Sequence, residues 1–268
     1  MNRAALALLL LSGCALPVVS AGNFLPAGDL QPGEFHASVS MEAARVLAAP
    51  SDVHDPSTST AASEPIPQGA QQWQVSTWFA SDLTLRYQLA RRLTLEGQLK
   101  LTNPITPFEP NLVGGALGVR VRLVEHPPAQ GFAAEVGFKV VGISAEQTLD
   151  RVAGDLSQTD TWNYRAFGGE LPLIVTYRVN SLMAVTASPF LRAYFIRAWH
   201  TVITPTSRDQ TILFFTPVLS AGIGVSFSFD VGPLELSPGL AMELATQPGD
   251  NANTHVLFEP GVSVGTHF

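Results

Sequence analysis

Cysteine occurs once in this chain of 268 residues, at Cys14, and lysine only twice, at Lys100 and Lys139. A single cysteine excludes a disulfide framework and a cysteine-rich zinc site. Charge of either sign is scarce, at 14% of residues against about 25% in an average soluble protein. The formal net charge of −7 offers no electrostatic footprint for nucleic acid. Beyond the extreme N-terminus there is no apolar run of about 18 residues, so the chain has no membrane-spanning helix. No phosphate loop or HExxH motif occurs. At 46% apolar residues, the chain is too apolar to stay disordered.

What is present begins with an address. Arg3 precedes a short apolar core, Ala4 to Leu11, in the manner of a secretory signal and too short to span a bilayer. Leu11-Ser12-Gly13-Cys14 resembles the lipobox of bacterial lipoproteins. The resemblance implies cleavage before Cys14 and acylation of its thiol and new amino group. Ala15, in place of Asp, implies sorting to the outer membrane of a Gram-negative cell. A second cleavage site, after Val19-Ser20-Ala21, has the small-x-small form of an ordinary signal. Residues 1–21 are therefore expected to be a signal peptide with its lipobox at 11–14, and 22–32 a periplasmic N-terminal segment.

From residue 33 to 268 the dominant period is two. Phe35, Val39 and Met41 alternate with His36, Ser38, Ser40 and Glu42. Leu93, Leu95, Leu99 and Leu101 alternate with Thr94, Glu96, Gln98 and Lys100. The pattern predicts ten strands, near 33–47, 73–89, 93–103, 112–124, 132–144, 162–179, 184–200, 211–230, 234–246 and 255–268. Prolines at 172, 189, 217, 238 and 260 fall inside them and are candidate bulge sites.

Three features put the apolar stripe against lipid rather than in a soluble core. Connections alternate between short (90–92, 125–131, 180–183, 231–233) and long (48–72, 104–111, 145–161, 201–210, 247–254), as periplasmic turns and outer loops do. Many strands exceed the about nine to eleven residues that spanning requires. The chain ends on Phe268, with Val264 and Val262 in the same phase. That ending resembles the C-terminal signature by which outer-membrane barrels are received for assembly, with Thr266 departing from it. The expected fold is all-β: a ten-stranded antiparallel up-and-down transmembrane β-barrel in the bacterial outer membrane. Its expected partners are outer-membrane lipid and, through Phe268, the barrel-assembly machinery.

The same phase turns eight acids inward, namely Glu42, Asp82, Glu96, Glu135, Glu170, Glu235, Glu243 and Glu259. Seven bases join them: Arg86, Lys100, Arg120, Arg122, Lys139, Arg178 and Arg192. Isolated charges in a narrow lumen are costly, so a paired network is expected. Barrels of about eight strands are filled by their own side chains, whereas open porins need about sixteen. A charge-paired, filled lumen is the expectation, and a narrow solute channel the alternative. If Ala90-Arg91-Arg92 is a three-residue turn with Leu89 opposite Leu93, Arg86 falls opposite Glu96 and Asp82 opposite Lys100. Such cross-strand pairs contribute about 0.2–1 kcal/mol each when exposed.

Chemistry has little support. His36 and Ser38 share a strand face and superficially resemble the His-x-Ser of barrel lipid A deacylases, but their phase points into the lumen. Asp52, His54 and Asp55 cluster in the first outer loop and are of metal-ligand type, but a solvated Pro/Ser-rich loop is the preferred reading. His200, Asp209, Asp250 and His255 lie near outer strand ends; only the ten-strand count resembles omptin-type proteases. Trp73, Trp78, Trp162, Tyr164 and Trp199 read as an interfacial aromatic girdle. No enzyme activity, metal or cofactor is expected, and the anticipated role is structural or binding through outer loops.

Overall fold

The computed structural model describes Phe24, Ala27 and residues 30–44, 78–102, 111–124, 130–153, 156–205, 207–246 and 254–268. Cys14, Asp52, His54, Asp55, Trp73 and Asp250 lie outside them, as do the side chains of Trp78, Trp162, Tyr164, His200 and His255. Ten strands run β1 (Phe35–Ala44), β2 (Trp78–Ala90), β3 (Leu93–Thr102), β4 (Asn111–Val124), β5 (Gly131–Ala153), β6 (Leu156–Asn180), β7 (Met183–Ile203), β8 (Arg208–Val231), β9 (Leu234–Thr246) and β10 (Thr254–His267). Every neighbour pair is antiparallel and consecutive, and β1 pairs with β10, so the sheet closes on itself. Closure leaves no free strand edge, as a bilayer requires.

The alternation in the sequence becomes an alternation of surfaces. Val39, Met41, Leu85, Leu99, Leu117 and Phe138 face outward and are exposed, while Ser40, Glu42, Arg86, Gln98 and Lys139 between them are buried. A soluble barrel would reverse this. An apolar exterior wrapped around a charged interior is stable only where lipid replaces water outside. The fold is thus the expected ten-stranded transmembrane barrel.

Short turns gather at one end. Ser181-Leu182 is tied by the Leu182 amide donating to Asn180 Oδ1 at 2.8 Å. Gly232, at φ 65°, takes the left-handed position that its tight β8–β9 hairpin needs. The first hairpin differs from expectation. Asp82 pairs with Lys100 and Arg86 with Glu96, but at the tip Ala90 pairs with Leu93. The turn is therefore Arg91-Arg92 alone, and a bulge between Gln88 and Ala90 absorbs Leu89. The register expected for the charges survives because the bulge lies below them.

Two further expectations are corrected. β5, β6, β7 and β8 are 23, 25, 21 and 24 residues long, about twice the span of a bilayer. The stretches expected as loops at 145–161 and 201–210 are mostly strand: Thr148 pairs with Thr161, and Thr201 with Gln210. Outside lipid nothing enforces an apolar stripe, so polar paired strand reads as loop in sequence. The prolines do not mark bulges either. Ladder pairs are skipped beside Pro172 and Pro238, but the register is the same on either side. Each lost N–H removes a rung without adding a residue.

Candidate functional site

The lumen is the candidate site, and its wall has two halves. Every buried Lys or Arg lies on β2–β7, together with Asp82, Glu96, Glu135 and Glu170. On β8, β9, β10 and β1 the described inward positions carry Ser220, Ser226, Ser228, Ser237, Ser263, Ser38 and Ser40, with acids but, among the described residues, no buried Lys or Arg.

On the first half the charges form a belt. Arg120 bonds Glu96, and Lys139 reaches Glu96 at 3.6 Å and Glu170 at 2.9 Å. Arg192 continues from Glu170 at 2.9 Å to Glu243 at 2.5 Å. Three bases thus alternate with three acids from β4 and β3 round to β9. Arg192 reaches past β8 because Ser220, its cross-strand neighbour there, is short. Lys100–Asp82 at 2.7 Å and Arg122–Glu135 at 3.3 Å are separate pairs. Glu42 and Glu259 are also fully enclosed, as is Arg86, whose register partner Glu96 is engaged by Arg120 and Lys139. Arg178 sits lower and more exposed, bonded to Asp230 at 2.9 Å and to the Ser181 carbonyl. Asp230 was not anticipated, because its partner lies two strands away.

The lumen also holds residues of the chain that precedes β1. Residues 22–32 were expected to be a periplasmic N-terminal segment. Instead Phe24, Ala27 and Leu30 are buried at 1%, 0% and 1% exposure inside the barrel. Gln31–Glu34 forms the reversal: the Glu34 amide donates to the Gln31 carbonyl at 3.0 Å, and Gly33, at φ 91°, donates to the Gln88 carbonyl. The Leu30 carbonyl accepts from Arg122 Nη2 at 3.0 Å, the Ala27 amide donates to Thr176 Oγ1 at 2.8 Å, and the Phe24 carbonyl accepts from Ser226 Oγ at 3.0 Å. These bonds serve backbone groups that would otherwise be buried unsatisfied.

Phe24 packs with Phe190 and Ala241, and Ala27 with Ala133 and Ile174. The Phe24 ring lies on Gly239 and Gly261, which pair with each other midway along β9 and β10. A Cβ at Gly239 would stand 2.3 Å from Phe24 Cδ1, and one at Gly261 2.5 Å from Cε2. Missing side chains on the wall thus form the seat of the ring. The physical reason for the Phe24 seat is volume: the Ser and Gly positions of β8–β10 leave room for a ring.

His36 and Ser38 are buried in the lumen wall, away from the lipid on which a deacylase would act. Asp209 accepts from Ser207 Oγ at 3.4 Å at the exposed outer end. Trp199 does face outward near that end, with Arg165 at 5.2 Å and Arg197 at 5.4 Å from its ring centroid. Phe268 closes the last strand by exchanging backbone bonds with Phe35, its ring 73% exposed on the outside.

A closed antiparallel wall, an apolar exterior and a polar interior define a transmembrane β-barrel of the outer-membrane kind. No family model matches the chain, and no curated protein matches it in sequence. Among solved structures it is similar to the outer membrane protease OmpT from Escherichia coli, at 8% identity and TM-score 0.42, covering 88% of this chain and 97% of that one. It is also similar to Ail, the attachment invasion locus protein of Yersinia pestis, at 11% identity and TM-score 0.31, covering 89% and 100%. An outer membrane channel from Pseudomonas putida F1 aligns at 12% identity and TM-score 0.36, covering 94% and 100%. At these identities no residue role transfers.

Proposed function

We propose that the protein is a non-enzymatic outer-membrane barrel with a sealed lumen, whose working surface is the outer extension of β5–β8. The observation that supports this most is the occupied interior: a continuous ion-pair belt along the wall, with Phe24, Ala27 and Leu30 buried beside it. A channel needs a hydrated path, and these groups spend the lumen cross-section on contacts with one another. The extension supplies paired strand far beyond the bilayer, ending at Ala153↔Leu156 between β5 and β6 and at Ile203↔Arg208 between β7 and β8. Such a platform suits binding to something at the cell surface. The partners in this reading are outer-membrane lipid around the belt and the barrel-assembly machinery at the strand ending in Phe268.

Planar-bilayer recording tests the sealed lumen. Purified barrel is expected to give no steady single-channel steps, and regular ohmic steps would favour the solute channel instead. The lipid anchor is tested separately. A fatty-acid probe should label the wild-type chain and miss Cys14→Ser, and a mature chain starting at Gly22 without lipid would remove the anchor while leaving the barrel untouched.

A further inference from the structure

We infer that the barrel carries a divalent transition-metal site, of the zinc class, at the periplasmic mouth of its closing seam, formed by His36, Glu235 and His267. The three come from β1, β9 and β10. His36 pairs in register with His267, and Glu235 sits opposite Gly265, two residues before His267. Glu235 Oε2 lies 3.5 Å from His267 Nε2 and 3.9 Å from His36 Nε2, and all three donor atoms fall within 4.8 Å of one another. Ligand atoms on a tetrahedral zinc stand about 3.4 Å apart, given metal–ligand bonds of about 2.0–2.2 Å. The carboxylate edges of the triangle are therefore near coordination distance already.

The surroundings are those of a prepared site. The second carboxylate oxygen, Glu235 Oε1, accepts from Ser237 Oγ at 2.9 Å, and Ser237 Oγ lies 2.7 Å from Ser228 Oγ. That chain of hydroxyls fixes the carboxylate with Oε2 turned toward the imidazoles, the outer-shell support that metal-binding carboxylates use. Gly265 clears the space for the His36 ring, since a Cβ there would meet Nε2 at 2.4 Å. His36 and Glu235 are buried, whereas the His267 side chain is 35% exposed. The ion would thus enter from the periplasmic side and keep one open position. Arg86, in register with His36, lies on β2, on the other side of β1 from the strands of Glu235 and His267. Two imidazoles and one carboxylate are a donor set suited to zinc and to its first-row neighbours. Bound there, the metal would join the first strand to the last two, clipping the seam where the barrel closes.

The test uses the full, tag-free barrel in detergent micelles, dialysed against zinc and assayed for bound metal, with cobalt as the spectroscopic probe. One metal per barrel is expected, with cobalt giving the visible bands of a nitrogen- and oxygen-ligated low-coordinate ion. Glu235→Gln and His267→Gln should each weaken binding by about tenfold or more. Ser237→Ala leaves the ligands in place and should weaken it less. Circular dichroism on each variant separates lost ligand from lost fold. Substoichiometric zinc on the wild-type barrel, or equal binding by folded Glu235→Gln and His267→Gln barrels, would overturn the site.

Discussion

The two halves of the lumen wall solve the same packing problem differently. β2–β7 fill their side with long charged side chains that grip one another, as Glu170 grips both Lys139 and Arg192 at 2.9 Å. The half from β8 through β10 to β1 presents mostly hydroxyls and glycines, and one ring from outside the sheet, Phe24, is seated there on Gly239 and Gly261. Charge fills a lumen only if every member is paired, because an unpartnered buried ion is costly. A docked backbone segment fills it only if its amides and carbonyls are served, which Ser226, Thr176 and Arg122 do. The charged belt is part of the wall, whereas the ring seated on the other half belongs to an insert, held also by Thr176 and Arg122, that can in principle be removed while the barrel persists.

The largest effect is expected on the charged half. Glu170→Ala removes the acid shared by Lys139 and Arg192, leaving Glu96 and Glu243 to balance a buried excess of positive charge, and should cost about 3–5 kcal/mol in urea unfolding followed by tryptophan fluorescence. A loss below about 1 kcal/mol would mean that water solvates the belt and that the lumen is open.

On the other half, Phe24→Ala should remove about 3 kcal/mol of docking free energy from the segment. Gly239→Val should cost about 1–3 kcal/mol by placing methyl groups where the ring sits. Both are expected to leave the strands intact by circular dichroism while exposing the segment to protease. If either unfolds the barrel outright, the insert is as integral as the belt and the contrast between the halves fails.

How much of this was legible depends on which force set the pattern. The β9 bounds match the expectation at both ends, Leu234–Thr246, because lipid outside and charge inside enforce the alternation over its whole length. The extensions of β5 and β6 were illegible because Thr148, Asp150, Thr159 and Thr161 lie beyond that constraint. The Phe24–Leu30 insert was hidden in a stretch containing Pro26, Gly28 and Pro32 that reads as a linker. A signal did exist: Gly239 and Gly261 occupy inward phases in otherwise well-formed strands, and a run of inward serines implies unfilled volume. The His36–Glu235–His267 cluster needs the β1–β10 register, which periodicity does not supply.

The smallest effect belongs to the rim. Arg178 and Asp230 are 14% and 32% exposed in their side chains, so water screens them. Arg178→Ala should shift stability by about 1 kcal/mol or less, against the much larger cost at Glu170. Equal costs at the two positions would show that depth in the lumen does not govern the value of a pair.

The most direct measurement is a cross-link between the insert and the wall. The Ala27 amide lies 2.8 Å from Thr176 Oγ1. In a Cys14→Ser background, Ala27→Cys with Thr176→Cys should form a disulfide under mild oxidation of the folded barrel, and Ala27→Cys alone should resist a water-soluble maleimide. Failure to cross-link, together with rapid labelling of Ala27→Cys in the folded barrel, would place the segment outside the lumen and contradict the account of how this barrel is filled.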